Sequence, residues 1–212
     1  MNLTVFGATG GIGGHLVRQA LDQGHSVTAV VRDPARLDVV HPALRVQTTP
    51  DVTDPEALLQ AVEGRDAVLS ALGPPGRRPV GIASAATGAI LRAMDVGRVH
   101  RILVVSAAPV GPSPQREGLL LRAVATPMIR MILRDGYADL ALMEQALKDS
   151  GTEWTVARPP KLNDKPLTGR YRMSVGIPLA NAWSISRADV AHAMLAALDD
   201  ESTYKQAFGI AY

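Results

Sequence analysis

Three glycines near the start of the chain have the spacing of a diphosphate cradle. Gly7, Gly10 and Gly13 form a G-x-x-G-x-x-G pattern between an apolar, strand-like segment and a stretch with helical periodicity. Gly7 permits a tight turn, Gly10 lets backbone N–H groups approach an anion, and Gly13 allows the helix to pack closely on the sheet. A glycine-rich turn without a ligand is the alternative. The order of strand, turn and helix favours a dinucleotide site at the helix N-terminus.

The end of the second predicted strand suggests which dinucleotide binds. Ser26–Val31 has the composition of a buried parallel strand, and Arg32 and Arg36 follow it. In dinucleotide folds an acidic residue at this point binds the ribose 2′-hydroxyl of NAD, whereas an arginine accommodates the 2′-phosphate of NADP. The pattern therefore favours NADP(H). The alternative is a solvated loop in which Asp33 pairs with Arg36.

The length and composition are those of one compact domain, which we take to span residues 1–212. Hydrophobic residues make up 47% of the chain, which is enough for a sizeable core. The net charge is +2 and the basic residues are scattered, so we expect no nucleic-acid partner. There is no cysteine, the five histidines are dispersed and no apolar run reaches membrane-spanning length, so neither a metal site nor a membrane partner is expected. We expect a cytoplasmic monomer or weak homodimer.

Strand and helix patterns alternate along the chain, which predicts a Rossmann-like, doubly wound parallel sheet with helices on both faces. Further strands are predicted at Leu44–Thr48, Asp66–Leu72, Arg101–Ser106 and Glu153–Ala157, and helices at Pro55–Val62, Gly81–Val96, Tyr137–Asp149 and Arg187–Leu198.

Two stretches rich in proline and glycine, Gly73–Gly81 and Ala108–Gly118, follow predicted strand ends. Ligands bind at the carboxyl ends of strands in open α/β sheets, so both are candidate active-site loops. Ordinary connections are the alternative, although these stretches exceed the usual loop length.

Five segments carry a resemblance to a known family. They are the glycine motif, "VVRDPARL", "DVTDPEALLQAVEGRDAVLSALG", "LVVSAAPVG" and "GTEWTVARPPKLNDKPLTGRYRM". Together they resemble the atypical short-chain dehydrogenases with an NAD(P)H-binding, NmrA-like domain, and within them most closely the group of biliverdin-IXβ and flavin reductases. The resemblance covers nearly the whole chain, and "RPPKLNDKPLTGRY" is its most specific part.

The resemblance implies roles for individual residues. Those expected to bind the cofactor are Gly7, Thr9, Gly10, Gly11, Ile12 and Gly13 at the diphosphate, Arg32 and Arg36 at the 2′-phosphate, Asp51 and Val52 at the adenine, Leu72 and Gly73 at the ribose, and Ser106 at the nicotinamide. Pro159, Pro160 and Lys161 are expected beside the reaction centre. Ser106 and Lys161 are the candidate catalytic residues, and the C-terminal loops are expected to form the acceptor site. From its position alone, Ser106 could equally satisfy loop backbone groups, and Lys161 could be a surface lysine without a role.

The sequence departs from two patterns. Short-chain dehydrogenases that act on alcohols use a Tyr-x-x-x-Lys pair, but here the fourth residue after a tyrosine is Ala141, Val175 or Phe208. The biliverdin-IXβ reductases carry histidine after the two prolines, where this chain has Lys161. We therefore expect an NADPH-dependent reductase of a planar conjugated acceptor, with flavin as a substrate if it is used. A non-catalytic NADP(H)-sensing regulator is the alternative, and a sugar-nucleotide epimerase ranks below both.

Overall fold

Strands and helices alternate along the part of the chain that the computed structural model describes, residues 1–73, 81–112 and 134–212. The strands are β1 (Asn2–Phe6), β2 (Ser26–Val31), β3 (Leu44–Thr48), β4 (Ala67–Ser70), β5 (Arg101–Val105), β6 (Glu153–Arg158), β7 (Lys161–Asn163), β8 (Arg172–Val175), β9 (Ser184–Ser186) and β10 (Gln206–Ala211). The helices are α1 (Gly11–Asp22), α2 (Pro55–Val62), α3 (Ile82–Gly97), α4 (Arg134–Asp149) and α5 (Arg187–Ala196).

Eight strands form the main sheet in the order β3-β2-β1-β4-β5-β6-β10-β8. The neighbours from β3 to β10 pair in parallel, and β8 pairs antiparallel with β10 at the edge. The strand order reverses between β1 and β4, and in doubly wound sheets this switch point opens a crevice at the carboxyl ends of the strands. The predicted α/β, Rossmann-like, doubly wound fold is confirmed.

Helices cover both faces of the sheet because its central strands are apolar on both sides. One face packs against α1 and α5, with Leu16 and Met194 among its fully buried residues. The other face packs against α2, α3 and α4, with Leu58, Ile90 and Leu147 fully buried. The carboxyl ends of the strands therefore lie at one end of a packed core that has helices on both sides.

The C-terminal third contains elements that we did not predict. β7 and β9 form a separate two-stranded parallel sheet, and β10 and β8 extend the main sheet. Most of the two proline- and glycine-rich stretches predicted as candidate active-site loops lies outside the described residues. No helix among the described residues is long and apolar enough to cross a membrane. The same residues contain no cluster of three or more potential metal ligands.

Candidate cofactor and acceptor site

The glycine loop joins β1 to α1 in a conformation that side chains would obstruct. Gly7 has φ +75°, and a methyl group on it would lie 2.8 Å from the Ala71 carbonyl oxygen. A methyl group on Gly13 would overlap the Gly7 carbonyl group, with its carbon 2.6 Å away. The Gly10 N–H group donates to the Gly7 carbonyl at 2.9 Å, which closes the turn. The loop therefore needs glycine at Gly7 and Gly13, as the spacing predicted.

Side-chain oxygens occupy the N-termini of three other helices. Asp54 accepts a backbone N–H group at the start of α2, and Ser186 does so at the start of α5. The carboxylate of Asp139, which lies on α4, accepts two N–H groups in the first turn of α3, both at 3.0 Å. Burial acts to raise the pKa of Asp139, but these hydrogen bonds outweigh it and hold the pKa below its usual value. An anion at these three positions would have to displace a protein group.

The N-terminus of α1 differs from those three. Its capping residue is Gly10, and no side chain among the described residues caps it. The first N–H groups of a helix have no acceptor within the helix, and the helix dipole adds positive potential there. Thr9 is half-buried, Gly11 is exposed and Ile12 is buried in this turn. This helix start fits an external diphosphate, which is the group that the fold family brings to this position.

The two arginines expected at the 2′-phosphate lie after the carboxyl end of β2. Arg32 and Arg36 are both exposed. Asp33 does not pair with Arg36 but accepts the Ala35 N–H group at 3.0 Å and caps a short 3₁₀ turn, Pro34–Arg36. Neither arginine forms an ion pair with another described residue, so both guanidinium groups are exposed to an incoming anion.

The predicted adenine residues follow β3. The carboxylate of Asp51 accepts the Thr53 hydroxyl at 2.6 Å and the Thr53 N–H group at 2.8 Å. These two hydrogen bonds lower the pKa of Asp51, and the bond from the Thr53 hydroxyl has the larger effect. Val52 is half-buried beside it. The structure thus presents a rigid acidic turn at this edge of the crevice.

The predicted ribose residues, Leu72 and Gly73, follow β4, the strand on the other side of the switch point from β2. Leu72 packs partly buried against the core, and Gly73 is exposed. A methyl group on Gly7 would lie 3.1 Å from the Leu72 backbone nitrogen. The glycine loop and this segment are therefore in direct contact.

Ser106 lies immediately beyond β5 and is almost fully buried. Its hydroxyl donates to Oε1 of Glu144, on α4, at 2.7 Å. Glu144 is also buried and accepts the Nε–H group of Arg158 at 3.0 Å, with a second ion-pair contact through its other oxygen. Glu144 thus neutralises Arg158 and fixes the direction of the Ser106 hydroxyl.

Pro159, Pro160 and Lys161 continue from Arg158 along the same edge. The Ser106 N–H group donates to the Ala157 carbonyl at 2.8 Å, which keeps the ends of β5 and β6 together. Pro159 is buried and Pro160 half-buried, whereas Lys161 is exposed at the first position of β7, where it pairs with Ser184 of β9. The structure therefore brings Ser106 and the Pro-Pro-Lys segment together at adjacent strand ends.

A buried carboxylate anchors the segment that follows Lys161. Asp189, fully buried on α5, accepts N–H groups from Thr168 at 3.0 Å and Gly169 at 2.8 Å, and the hydroxyl of Tyr212 at 2.6 Å. Burial acts to raise the pKa of Asp189, but these hydrogen bonds outweigh it and lower the pKa overall. The loop between β7 and β8 is thereby fixed to the last helix.

Sequence reasoning missed Glu144, Arg158 and Asp139. Glu144 lies 38 residues from Ser106, and Asp139 lies 55 residues from Ser84, whose N–H group it accepts. The sequence does contain one signal. Asp139 and Glu144 both lie on the side of α4 that the apolar periodicity predicts to be buried. Buried acids require partners, and these partners come from distant strand and helix ends.

The chain belongs to the NAD(P)H-binding family, whose profile matches residues 7–201. Together with the sheet order and the glycine loop, this makes it a protein with the NAD(P)H-binding oxidoreductase fold.

Among its relatives is an uncharacterized sugar epimerase, YhfK of Bacillus subtilis, which is 27% identical over 99% of this chain and 94% of its own length. Solved structures with the same fold include the following two. A short-chain dehydrogenase/reductase of Veillonella parvula, in complex with NADP, is 20% identical with a TM-score of 0.80, covering 100% of this chain and 94% of the other. A proposed NADH-flavin reductase of Streptococcus pneumoniae is 24% identical with a TM-score of 0.79, covering 100% and 99%.

Proposed function

We propose that this protein is an NADPH-dependent reductase that transfers a hydride to a planar conjugated acceptor, such as a flavin, a quinone or a linear tetrapyrrole. One observation carries the proposal. The uncapped N-terminus of α1 and the segment formed by Ser106 and Pro159–Lys161 lie along the same carboxyl edge of one sheet. In folds of this class that edge holds the cofactor at the switch point and the substrate beside it.

At the cofactor end, the glycine loop holds the diphosphate through the N–H groups of α1. Arg32 and Arg36 provide two exposed guanidinium groups for the 2′-phosphate, where a planar fork suits a phosphate's oxygens. The Veillonella structure, which contains NADP, supports a cofactor of this type in the shared fold. NADPH supplies the hydride when bound, and the protein contributes position and electrostatics.

At the acceptor end, Ser106 and Lys161 have different capacities. Because the Ser106 hydroxyl hydrogen points to Glu144, its oxygen remains able to accept a hydrogen bond but not to donate one. Lys161 is exposed and cationic, so it can hold an acidic group of the acceptor or stabilise the anion that forms when a hydride is added. The nearby prolines restrict the backbone that carries it. The name of the Streptococcus relative supports a flavin among the candidate acceptors.

Epimerase or alcohol chemistry is disfavoured by the tyrosines. The only tyrosine on α4 is Tyr137, which has Ala141 and not lysine four residues later. Burial raises the pKa of Tyr137, whereas a tyrosine that takes up and releases protons needs a lowered pKa. We therefore do not propose for this chain the sugar epimerase activity that the name of the Bacillus relative suggests.

A second candidate is a regulator that binds NADP(H) without turnover. The orientation of Ser106 favours it, because the hydroxyl that would otherwise be a proton donor at the strand edge is committed to Glu144. A sensor needs only the cofactor half of the site.

Anaerobic stopped-flow oxidation of NADPH against flavins, quinones and bilins separates the two functions. For a reductase we expect saturable oxidation above the protein-free rate. When NADPH is deuterated at C4 of the nicotinamide, the deuterium should pass to the product from only one face of the ring. The Gly13→Ala variant, whose methyl group obstructs the glycine loop, is the matched control for NADPH-dependent turnover. Tight NADPH binding with no turnover against the whole panel would favour the regulator instead.

A further inference from the structure

Arg187, the first residue of α5, lies directly over the start of α1. A methyl group on Gly11 would be 2.7 Å from Nε of Arg187 and 3.7 Å from its Cζ, and it would overlap Cδ. Only a residue without a side chain at position 11 lets the arginine lie flat against this backbone. The contact joins residues 176 positions apart and places a guanidinium group at the helix start that has no side-chain cap.

The partner of Arg187 holds it only loosely. One terminal nitrogen donates to Oδ1 of Asp164 at 2.6 Å. The Asp164 side chain is 84% exposed, and that of Arg187 is 30% exposed. Ion pairs in contact with water contribute little free energy, and a guanidinium has five N–H donors, most of which Asp164 cannot use. The guanidinium can therefore exchange this carboxylate for a better anionic ligand.

Two further basic residues of α1 lie near Arg187. His15 and Arg18 lie on the next turns of α1, and Arg18 pairs with Asp38 on its outer side. Burial lowers the pKa of His15, and the charge of Arg18 and then that of Arg187 lower it further, although Asp164 acts in the opposite direction. The cationic form of His15 is thus disfavoured, by burial first and by the neighbouring arginines second, and Asp164 partly offsets the arginines.

We infer that Arg187 is a further cofactor-binding residue, whose guanidinium group would donate to the diphosphate of the bound dinucleotide at the start of α1. The inference rests on the cofactor site proposed above and adds to it a residue outside the glycine motif. Asp164 is then a competitor: it pairs with Arg187 in the absence of the nucleotide and repels the diphosphate in its presence. Arg187 would thus add a side-chain donor to the backbone N–H groups of the glycine loop.

Two fragments of the cofactor test this by calorimetric titration. ADP carries the 5′-diphosphate without a 2′-phosphate. Adenosine 2′-monophosphate carries the 2′-phosphate without a 5′-diphosphate. For Arg187→Ala we expect ADP binding to weaken about tenfold, the value for one lost charge-assisted contact, and adenosine 2′-monophosphate binding to stay unchanged. For Arg32→Ala we expect the opposite selectivity. Arg170→Ala, which removes an exposed arginine from the neighbouring loop, is the matched control.

Asp164→Asn supplies a result that misfolding cannot imitate. Removing the competing carboxylate should tighten ADP binding several-fold while Arg187 is present, and should have no such effect in the Arg187→Ala background. Thermal melting of each variant verifies that it is folded. Equal ADP affinity in wild type and Arg187→Ala, or an equal loss for both fragments, overturns the role of Arg187 and leaves the reductase proposal intact. Failure of the wild type to bind NADPH or either fragment overturns the cofactor site itself, and with it both proposals.

Discussion

Ser106 donates its hydroxyl to the buried carboxylate of Glu144, 2.7 Å away, and so connects the end of β5 to α4. The same carboxylate neutralises Arg158 at the end of β6. β5, β6 and α4, which meet at the proposed acceptor end of the site, therefore contact the same carboxylate. Because a buried carboxylate is stable only when it is paired and hydrogen-bonded, the position of Ser106 depends on Glu144 as much as on its own strand.

Replacing Glu144 should expose this dependence. We expect Glu144→Gln to lower the free energy of unfolding by about 3 kcal/mol, because it leaves the largely buried charge of Arg158 without a counter-ion. Adding Arg158→Met should recover much of that loss, since removing both charges also removes their desolvation cost. Urea denaturation measures both, with the exposed Glu63→Gln as control. If the double variant lost the sum of the two single-variant losses in unfolding free energy, the pairing of Glu144 with Arg158 would be contradicted.

Two adjacent glycines of α1 provide a matched test of the loop. Gly13→Ala should lower the free energy of unfolding by about 1–3 kcal/mol, the usual cost of overpacking, and abolish NADPH binding, because its methyl group overlaps the Gly7 carbonyl. At Gly14 the nearest atom to a methyl group is the flexible end of Arg18, 3.2 Å away, so Gly14→Ala should stabilise the helix by up to about 1 kcal/mol. Thermal melting and NADPH titration measure both effects. Similar behaviour of the two variants would refute the close approach.

Cofactor preference should depend on Arg32. A charge-assisted hydrogen bond contributes roughly 1.5–3 kcal/mol, so Arg32→Ala should weaken NADPH binding by about tenfold or more. NADH lacks the 2′-phosphate, and its affinity should change much less. Arg92→Ala, which removes an exposed arginine from α3, is the control. Wild-type protein that binds the two cofactors equally would exclude the arginine pair as a 2′-phosphate site.

The anchor at Asp189 predicts a pH dependence of stability. Its pKa is lower in the folded chain than the unperturbed value of about 3.9. Its stabilising contribution is therefore fully present above the unfolded pKa and is lost as the pH falls through the folded pKa. Asp189→Asn should be much less stable than wild type at neutral pH, and this difference should shrink below about pH 4. Denaturation across that range measures it, and a difference that is constant with pH would show that ionisation of Asp189 is irrelevant.

The first two-thirds of the fold could be predicted from the sequence because its signals are local. β2, β3 and α2 have the predicted bounds, and Asp54 caps α2 as the Asp-Pro pair indicates. Strands such as β2 and β5 are largely apolar runs, and α2 begins at a recognisable cap. Their alternation is enough to give the sheet and the edge where ligands bind.

In the last third, β6 and α5 were also predicted, whereas the elements between and after them depend on contacts that no local pattern encodes. β7 and β9 have three residues each, too few for any periodicity to be visible, and they pair across some twenty residues. The contact of Arg187 with Gly11 and that of Glu144 with Ser106 are created only when separate layers pack together. Sequence motifs therefore located the candidate site but not the side chains that orient it.

Comparing acidic with uncharged acceptors distinguishes a binding role of Lys161 from a role as proton donor. It is exposed at the start of β7, so its charge acts through water and an ion pair with it should contribute only about 0.2–1 kcal/mol. Lys161→Ala should therefore raise KM for an acidic acceptor such as FMN or a bilin roughly two- to fivefold, with little change in kcat and no change for an uncharged quinone.

The matched control for Lys161 is Lys165→Ala, which removes another exposed lysine four residues along the same segment. Lys161→His, which introduces the residue of the resembled reductases, should retain bilin reduction if the acceptor site is shared. A fall in kcat for every acceptor, quinones included, would instead make Lys161 the proton donor, because a group that acts only in the transition state lowers kcat and kcat/KM together. If steady-state kinetics show no change in either constant for any acceptor, Lys161 takes no part in the reaction. Solvent is then the source of the proton, since the Ser106 hydroxyl is bound to Glu144.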